Sequence, residues 1–366
     1  MRIVQILPEM NDGELARGTL EFAQELVRLG HESIVISNGG ELVSRLTLRG
    51  SRHIKLPLHR KSLWSFRLVG RLRRILLELR ADVIQMRAPM PAWIARFAWR
   101  GMPEKERPRL VTAVHELHSR GVYSGIMASG ERVIAVSQWV ADYLQKNFGK
   151  KLSAPPQVIH RGVNTREFDR GAPVSGQWQL RLLNSYPQLE GKNWLLMPAP
   201  LAPGNGQRTF LQMLAAIARE RDDVFGLVVG SDRGAEKYAR GLERLALDLG
   251  LDDKVLFLGE RRDMRELYAS SRITYQLSEK PKPFCRTVAE ALAMHCPAVT
   301  YRDGGPAEVL GRCFPQGLVE RGSVEALAQA SLEILERPQS VDFTGFSLED
   351  TAAQTLALYD ELCQSA

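Results

Sequence analysis

Apolar residues along the chain fall into short runs and into longer stretches with helical spacing. Residues 2–7 and 31–37 carry the first two runs, and residues 20–29 repeat apolar side chains at three- and four-residue intervals. Short runs are typical of buried strands, whereas the three-four spacing is typical of a helix. A loop with Gly13 and Gly18 separates the first strand from the helix. Strand, loop, helix and strand in this order predict a doubly wound α/β sheet.

The same alternation continues along the chain with one polar interruption. Further strands are predicted at residues 82–86, 109–114, 132–137, 194–198, 224–231, 255–259, 273–278 and 297–300. Residues 166–192 are polar and hold several glycines and prolines, which favours a linker. We therefore predict a first Rossmann-like domain at 1–165, a linker at 166–192, a second Rossmann-like domain at 193–345 and a C-terminal segment at 346–366 with a helix at 347–364.

Length and composition are consistent with two globular domains. A chain of 366 residues exceeds what one hydrophobic core usually organises, and its 44% hydrophobic and 25% charged residues are ordinary proportions. No apolar run approaches the ~20 residues that a transmembrane helix needs, and the apolar start is too short for a signal peptide. The four cysteines lack metal-ligand spacing, so we interpret them as free thiols of a reducing compartment. The expected location is the cytoplasm.

Positive charge is concentrated between residues 60 and 80, in a chain whose net charge is +7. The window contains a predicted helix at 63–79 with apolar, aromatic and arginine side chains. It fits an outer helix with a solvated basic face, a helix lying on an anionic membrane surface, or a nucleic-acid contact. No nucleic-acid recognition motif accompanies the charge, so we expect no nucleic-acid partner. The residues expected to face a membrane or an acceptor are Trp64, Arg67, Arg71, Arg73 and Arg74.

One histidine follows a predicted strand directly. His115 comes after the strand at 109–114, and open α/β sheets bind ligands at the carboxyl ends of their strands. A single histidine at such a place is structural about as often as it is functional, so both interpretations stay open. The first loop lacks a Gly-x-Gly-x-x-Gly pattern, which argues against a dinucleotide cofactor.

The strongest chemical signal lies between residues 280 and 294. A proline-containing loop precedes a predicted short helix that begins beside Arg286 and Thr287 and presents Glu290. Backbone N–H groups at a helix N-terminus attract anions. A predicted flexible turn at 304–308 ends in a second acid. A phosphate-binding helix end beside a carboxylate suits a nucleotide-sugar, since the carboxylate can accept hydrogen bonds from ribose hydroxyls.

This stretch resembles the donor-site signature of the family 4 retaining glycosyltransferases. The family signature reads Glu-Pro-Phe-Gly-Arg-Thr-x-x-Glu-Ala, and the chain keeps Phe284, Arg286, Thr287, Glu290 and Ala291. Similarity in the family's order extends over the whole chain, at residues 17–19, 132–137, 161–163 and 304–305. The resemblance implies the α/β GT-B fold, in which two Rossmann-like doubly wound domains face each other across a cleft and a C-terminal helix crosses back to the first domain.

The resemblance also implies an activity and a site. A sugar would move from a nucleotide-diphosphate donor to a hydroxyl with retention of configuration. The expected acceptor is a bacterial envelope glycan or glycolipid, of the lipopolysaccharide-core type, reached by peripheral association with the inner face of the cytoplasmic membrane. No Asp-x-Asp motif occurs, so we expect no metal, and no cofactor apart from the donor. The expected catalytic residues are His115, Lys282 and Glu290. The expected donor-binding residues are Gly13, Asn205, Gly230, Ser231, Arg261, Arg286, Thr287 and Val288.

Cys285 stands where the family signature has glycine, and three further donor positions change in chemistry. Lys282 replaces the first glutamate of the signature, and Pro200 and Asn205 replace an arginine and a lysine that stabilise the leaving diphosphate. An active enzyme with an altered site is one interpretation, with Lys282 and Arg286, or a reoriented Arg208, supplying the charge. A catalytically impaired relative that serves as a scaffold or partner of another glycosyltransferase is a second. A GT-B protein of another class, such as a sugar-nucleotide epimerase, is a third.

Overall fold

The chain forms two compact α/β units in the computed structural model, which describes residues 1–117, 119–337 and 339–364. The first unit contains Met1–Gly162 and the chain from Ser347 onward, and the second contains Val163–Phe346. Positions 118, 338, 365 and 366, which fall inside the predicted domains 1–165, 193–345 and 346–366, lie outside the described residues.

Each unit is built on a sheet of short parallel strands. The strands are β1 (Arg2–Ile6), β2 (Glu32–Ser37), β3 (Arg52–Lys55), β4 (Val83–Met86), β5 (Arg109–Val114), β6 (Arg132–Ala135), β7 (Gln157–Val158), β8 (Asn193–Pro198), β9 (Val224–Val229), β10 (Val255–Gly259), β11 (Ile273–Gln276), β12 (Ala298–Tyr301) and β13 (Leu318–Val319). The strand orders are β3-β2-β1-β4-β5-β6-β7 and β10-β9-β8-β11-β12-β13. The order reverses between β1 and β4 and between β8 and β11, and such switch points are where open α/β sheets bind ligands.

The helices that cover these sheets follow the strands along the chain. They are α1 (Glu14–Arg28), α2 (Val43–Leu48), α3 (Val69–Leu79), α4 (Pro89–Arg100), α5 (Gln138–Phe148), α6 (Gly176–Ser185), α7 (Gln207–Glu220), α8 (Glu236–Asp248), α9 (Met264–Ser270), α10 (Arg286–Ala293), α11 (Gly304–Cys313), α12 (Val324–Glu336) and α13 (Leu348–Gln364). The predicted pair of doubly wound, Rossmann-like domains is confirmed. Among the described residues, no helix is both long and apolar enough to cross a membrane.

The C-terminal helix α13 returns to the first unit, as the family resemblance implies. Its apolar face joins the core formed by α1 and the strands β1, β4 and β5. Its largest completely buried side chain is that of Tyr359. Burial of each large apolar side chain contributes about 1.5–3 kcal/mol, so this helix is a structural part of the first sheet's core. The α13 residues in this cluster are Ala352, Leu356, Leu358, Tyr359 and Leu362.

The predicted linker contains a helix instead of an open connection. Trp178 and Leu182 of α6 are buried, and the indole Nε1 of Trp178 donates a 2.6 Å hydrogen bond to Asp263. The segment therefore packs onto the second unit. Polar composition alone did not reveal this, because only two of the ten helical residues face the interior.

Two further expectations about local structure were wrong. The basic segment 63–79 is a 3-10 helix at Leu63–Leu68 followed by α3, with Ser62 capping its start. The turn expected at 304–308 is the first turn of α11. Gly304 and Gly305 are required there for close packing, since a Cβ on Gly305 would lie 1.9 Å from the Pro283 carbonyl oxygen. From the sequence alone, two adjacent glycines needed for close packing cannot be told from two glycines of a flexible turn.

Candidate functional site

Two loops meet at the switch point of the second sheet. The loop after β8 covers residues 199–206, and the loop after β11 covers residues 277–285. The backbone N–H of Glu279 donates a 2.9 Å hydrogen bond to the carbonyl of Gly204, which joins the loops. Gly206 has a φ of +92°, and a Cβ there would lie 2.1 Å from the Leu277 carbonyl oxygen. Only glycine fits such an approach, so the start of α7 is held against the end of β11.

The loop after β9 joins the same edge. The amide of Gly230 donates 2.9 Å to the carbonyl of Gly259, and a Cβ on Gly230 would lie 2.0 Å from the Ala199 carbonyl oxygen. The backbone carbonyl of Ser231 accepts a 2.9 Å hydrogen bond from the Leu201 amide. The predicted donor residues Gly230 and Ser231 therefore lie beside the loop after β8.

The altered loop after β8 is closed on itself. The side-chain amide of Asn205 donates 2.9 Å to the Pro200 carbonyl, and the side chain of Gln207 donates 2.8 Å to the same oxygen. Residues 199–207 contain no lysine or arginine. Arg208, considered as a replacement cation, is exposed in the first turn of α7. Positive charge at this edge must come from other elements.

Helix α10 begins at the carboxyl edge of the second sheet. Cys285 is its N-cap residue, and its sulfur lies 3.1 Å from the hydroxyl of Thr287. Val288 is completely buried and anchors the helix. The Lys282 carbonyl accepts a 2.9 Å hydrogen bond from the Gly305 amide. The start of α11 is therefore bonded to the backbone of the loop after β11. The lysine itself is half-buried. The helix N-terminus and two cationic residues, Lys282 and Arg286, thus stand at one edge.

Glu290 is the buried acid of this edge. Its carboxylate forms an ion pair with Arg286, one helical turn earlier, and accepts a 3.3 Å hydrogen bond from the hydroxyl of Tyr268. Burial, followed by the nearby Glu290 charge, raises the pKa of Tyr268 well above its ordinary value. The phenol therefore stays protonated and remains a donor. Both carboxylate oxygens are held in fixed positions.

Arg261 forms an ion pair within the second unit. Its guanidinium forms two hydrogen bonds with Asp263, of 2.9 and 2.5 Å, and Asp263 also accepts from Trp178. Burial alone would raise the pKa of Asp263, but the bonds from Arg261 and Trp178 outweigh it and lower the pKa. The arginine thus fixes the start of α9 and the packing of α6. Its predicted role in donor binding stays a prediction.

One cation of this edge was not singled out from the sequence. Arg321 donates a 2.7 Å hydrogen bond to the Ser278 carbonyl, pairs with Asp303 and lies 4.1 Å from the centroid of the Tyr301 ring. It follows β13, and nothing in its local sequence marks it. Only the sheet order brings it to the loop after β11.

In the first unit, the switch point carries a buried arginine. Arg87 follows β4, is 7% exposed and donates to Gln5 of β1 and to His115 after β5. A charged residue directly after a buried strand was the signal that could have revealed it. Gly13, the predicted donor-binding glycine, is the N-cap residue of α1.

A pocket of about 460 Å³ opens at the same edge of the first sheet. Its lining combines the buried Arg87 and the half-buried His115 with Lys61, Glu116 and Tyr123. Such a mixture of donors, one acid and an aromatic ring suits a polar ligand with hydroxyl groups.

An apolar and basic surface surrounds the 3-10 helix that precedes α3. Leu63 and Trp64 are 85% and 78% exposed, and Arg67, Arg71 and Arg74 are also exposed. Arg73 differs from these three arginines. It is half-buried and donates 3.2 Å to the Gly101 carbonyl at the end of α4.

Comparisons with known proteins agree with this architecture. The family model described as Glycosyltransferase Family 4 matches residues 15–167, and the model described as Glycosyl transferases group 1 matches residues 182–343. Spore coat protein SA of Bacillus subtilis (strain 168) is 24% identical over 234 residues, which are 60% of this chain and 60% of that protein. The match therefore spans less than two thirds of this curated relative.

Solved structures share the fold over nearly the whole chain. A glycosyltransferase from Rickettsia africae ESF-5 is 25% identical with a TM-score of 0.87, covering 100% of this chain and 99% of that one. Anabaena HepE in complex with UDP and glucose is 19% identical with a TM-score of 0.74, covering 100% and 99%. WaaG, a glycosyltransferase involved in lipopolysaccharide biosynthesis, is 15% identical with a TM-score of 0.65, covering 98% and 95%.

Within the described residues, no group of three or more histidine, cysteine, aspartate or glutamate side chains could hold a metal ion. At the carboxyl edge of the second sheet the structure brings together cations, a helix N-terminus and the fixed carboxylate of Glu290. Two glycosyltransferase family models match successive parts of the chain, and its fold is the GT-B fold that these glycosyltransferases share.

Proposed function

We propose that the protein transfers a sugar from a nucleotide-diphosphate donor to an acceptor hydroxyl with retention of configuration. The donor would bind at the carboxyl edge of the second sheet. The complex of HepE with UDP and glucose supports a nucleotide-sugar donor, since that protein has the same fold.

The position of Glu290 is the observation that carries this proposal. The carboxylate lies one turn inside α10, at the switch point, with Arg286 and Tyr268 fixing its two oxygens. A ribose hydroxyl could donate to it while the diphosphate faces the N-terminus of the helix. Recognition of this kind requires a preorganised acceptor, and the buried ion pair supplies one.

The leaving diphosphate needs positive charge, because its negative charge grows as the glycosidic bond breaks. Loss of one such donor typically costs about 3 kcal/mol of transition-state stabilisation. The loop after β8 offers no cation, whereas Lys282 and Arg286 lie on the neighbouring loop and helix. We assign them this role, together with the α10 N-terminus, and propose that no metal is needed.

The acceptor is proposed to be a bacterial envelope glycan or glycolipid, of the lipopolysaccharide-core type. The likeness to WaaG and to a spore coat protein supports an envelope role. The pocket beside His115 offers polar contacts for a sugar acceptor. The exposed Trp64 and the arginines around it would hold the protein on the cytoplasmic face of the membrane.

A scaffold role is the second candidate, and the closed loop at Pro200 and Asn205 favours it. That loop lacks the two cations of the family signature, and the side chains of Asn205 and Gln207 donate hydrogen bonds to its own Pro200 carbonyl. A protein of this kind would keep the fold and bind another glycosyltransferase without turning over a donor.

A transfer assay with matched lysine variants separates the two candidates. The full chain is incubated with a panel of nucleotide-diphosphate sugars, an envelope glycolipid acceptor and EDTA. We expect turnover of at least one sugar, and Lys282→Gln to lower kcat by about 100-fold. Lys280→Gln, which changes an exposed lysine two residues away, should leave kcat unchanged. Absence of turnover with every donor would favour the scaffold, and equal loss in both variants would contradict the role of Lys282.

A further inference from the structure

The buried arginine of the first unit contacts the ring of His115 directly. Arg87 Nη2 lies 2.9 Å and Nε lies 3.2 Å from His115 Nε2, while Nη1 donates a 2.6 Å hydrogen bond to the side-chain oxygen of Gln5. Gln5 is fully buried on β1 and reaches the Thr19 carbonyl of α1 at 3.4 Å. A hydrogen-bonded chain thus runs from α1 through β1 and Arg87 to the end of β5.

The direction of these bonds fixes the position of the imidazole proton. A guanidinium group carries only donors and stays charged in proteins. Both N–H groups that point at His115 Nε2 therefore require a lone pair on that nitrogen. In a neutral ring with a lone pair on Nε2, the proton is on Nδ1.

The surroundings of His115 reinforce the neutral form. Burial and then the nearby Arg161 lower the pKa of Arg87 to about 9, so Arg87 remains charged at neutral pH. A second positive charge on the contacted ring would be repelled. The charged and titratable groups that face this region are Lys61, Arg161, Glu21, Glu116, Tyr123 and Tyr359.

We propose that Arg87 is a positioning residue that holds His115 as the neutral tautomer protonated on Nδ1. With its lone pair held by Arg87, Nε2 is then unable to serve as a general base in sugar transfer. The catalytic part of this inference rests on the proposed glycosyl transfer. The tautomer itself does not, because it follows from contacts within the first unit.

Nitrogen NMR of the full chain tests the tautomer without any substrate. Protein labelled with ¹⁵N in its imidazoles is recorded from about pH 5.5 to about pH 8, a range that spans the ordinary titration of histidine. His115→Gln assigns the signal. We expect a pyrrole-type Nδ1 and a pyridine-type Nε2 throughout. A protonated Nε2, or an imidazolium that forms near the ordinary pKa of about 6.5, would overturn the proposal.

Substitution of Arg87 tests both whether Arg87 sets the tautomer of His115 and whether that tautomer affects kcat. In Arg87→Met the ring should lose its fixed tautomer and take up a proton within this pH range, and kcat should fall about 10- to 100-fold with an altered pH profile. Arg87→Lys retains one charged donor and should recover part of both properties. Thr112→Val is the control. It removes a 2.7 Å hydrogen bond that the buried Thr112 of β5 donates to the Met127 carbonyl, and it should leave the tautomer of His115 unchanged.

The outcomes separate failure of this inference from failure of the proposed function. An unchanged tautomer in Arg87→Met would reject the positioning role, whatever the activity. A changed tautomer with unchanged kcat would reject its catalytic part. If no donor sugar is turned over, the wild-type and Arg87→Met spectra still decide whether Arg87 sets the tautomer.

Discussion

Single glycines determine how closely the loops approach one another at the carboxyl edge of the second sheet. At Gly206, Gly230 and Gly305, an added Cβ would lie 2.1, 2.0 and 1.9 Å from a backbone carbonyl oxygen. Backbone atoms cannot yield as a flexible side chain does, so any side chain would push the loops apart. The geometry around Glu290 therefore depends on residues that carry no functional group.

Substitution of Gly206 should be costly for steric reasons. Gly206→Ala combines a left-handed backbone with a contact of 2.1 Å to Leu277, and we expect a loss of at least about 2 kcal/mol of unfolding free energy. Gly204→Ala is the matched control, because Gly204 also has a positive φ but its nearest neighbour is 3.7 Å away. Its expected loss is about 1 kcal/mol. Equal effects in urea denaturation would contradict the steric argument.

His295 occupies a backbone conformation that favours glycine. It follows α10 with a φ of +55°, and its amide and that of Cys296 bond back to Leu292 and Ala291. Glycine is the usual residue at this position of a helix end. His295→Gly should therefore raise the unfolding free energy by about 0.5–1 kcal/mol. His295→Ala keeps the strain and should give no gain. A His295→Gly protein that melts below the alanine variant would contradict this explanation.

At the scale of elements, ion pairs tie helices to loops that the sequence pattern left unassigned. Asp263 connects Arg261, the start of α9 and Trp178 of α6. The same carboxylate accepts the bond from Trp178 and so helps to hold α6, within the polar segment 166–192, on the second unit. Arg73 connects α3 to the end of α4 through a hydrogen bond to the Gly101 carbonyl.

The lowered pKa of Asp263 predicts a pH-dependent contribution to stability. Because the folded-state pKa lies below the ordinary value of 3.8, the contribution is complete above that value and is lost as pH falls through the folded pKa. Asp263→Asn should cost roughly 1 kcal/mol at neutral pH, and the difference from wild type should disappear in acid. Thermal melts at neutral and acidic pH measure it. A deficit that persists in acid would show that the charge is not responsible.

The surface around the 3-10 helix at Leu63–Leu68 should bind anionic membranes. Each arginine near such a surface contributes about 1 kcal/mol, so reversing Arg67, Arg71 and Arg74 to glutamate should weaken vesicle binding by at least about 100-fold at low salt. Arg73 is left unchanged because it bonds to Gly101. The control reverses Arg219, Arg240 and Arg244, three exposed arginines of the second unit.

Co-sedimentation with vesicles that contain phosphatidylglycerol measures this binding. The control carries the same change in net charge, so it should bind almost as wild type does. Equal loss in both triple variants would indicate a general charge effect, and no loss in either would remove the membrane proposal.

At the scale of the whole molecule, the repeating strand and helix pattern was sufficient to predict two doubly wound sheets. Buried parallel strands produce continuous apolar runs, and these are visible without a structure. The paired loops at Gly206 and Gly305 were not predictable, since they depend on contacts between segments far apart in sequence. Arg321 was not predictable for the same reason, whereas the position of Arg87 directly after a buried strand was a signal that the sequence did carry. Only the strand order reveals that Arg87 reaches both Gln5 and His115.

The departures from the family signature also have a meaning only at this scale. Relative to the family signature, Pro200 and Asn205 remove two cations from the loop after β8, and Lys282 adds one on the loop after β11. A backbone hydrogen bond joins these two loops. The sequence shows the substitutions, and the structure shows that they belong to one edge. Whether the redistributed charge serves a diphosphate is the central question about this protein.

Calorimetric titration with nucleotide diphosphates and nucleotide-sugars addresses that question most directly. Glu290→Gln keeps the size of a buried side chain while removing its charge, and Glu333→Gln changes an exposed glutamate of α12 as a control. We predict micromolar binding of one nucleotide class, weakened at least about 10-fold in Glu290→Gln and unchanged in Glu333→Gln. Absence of binding to every nucleotide, or equal affinity in wild type and Glu290→Gln, would contradict a donor site at this edge.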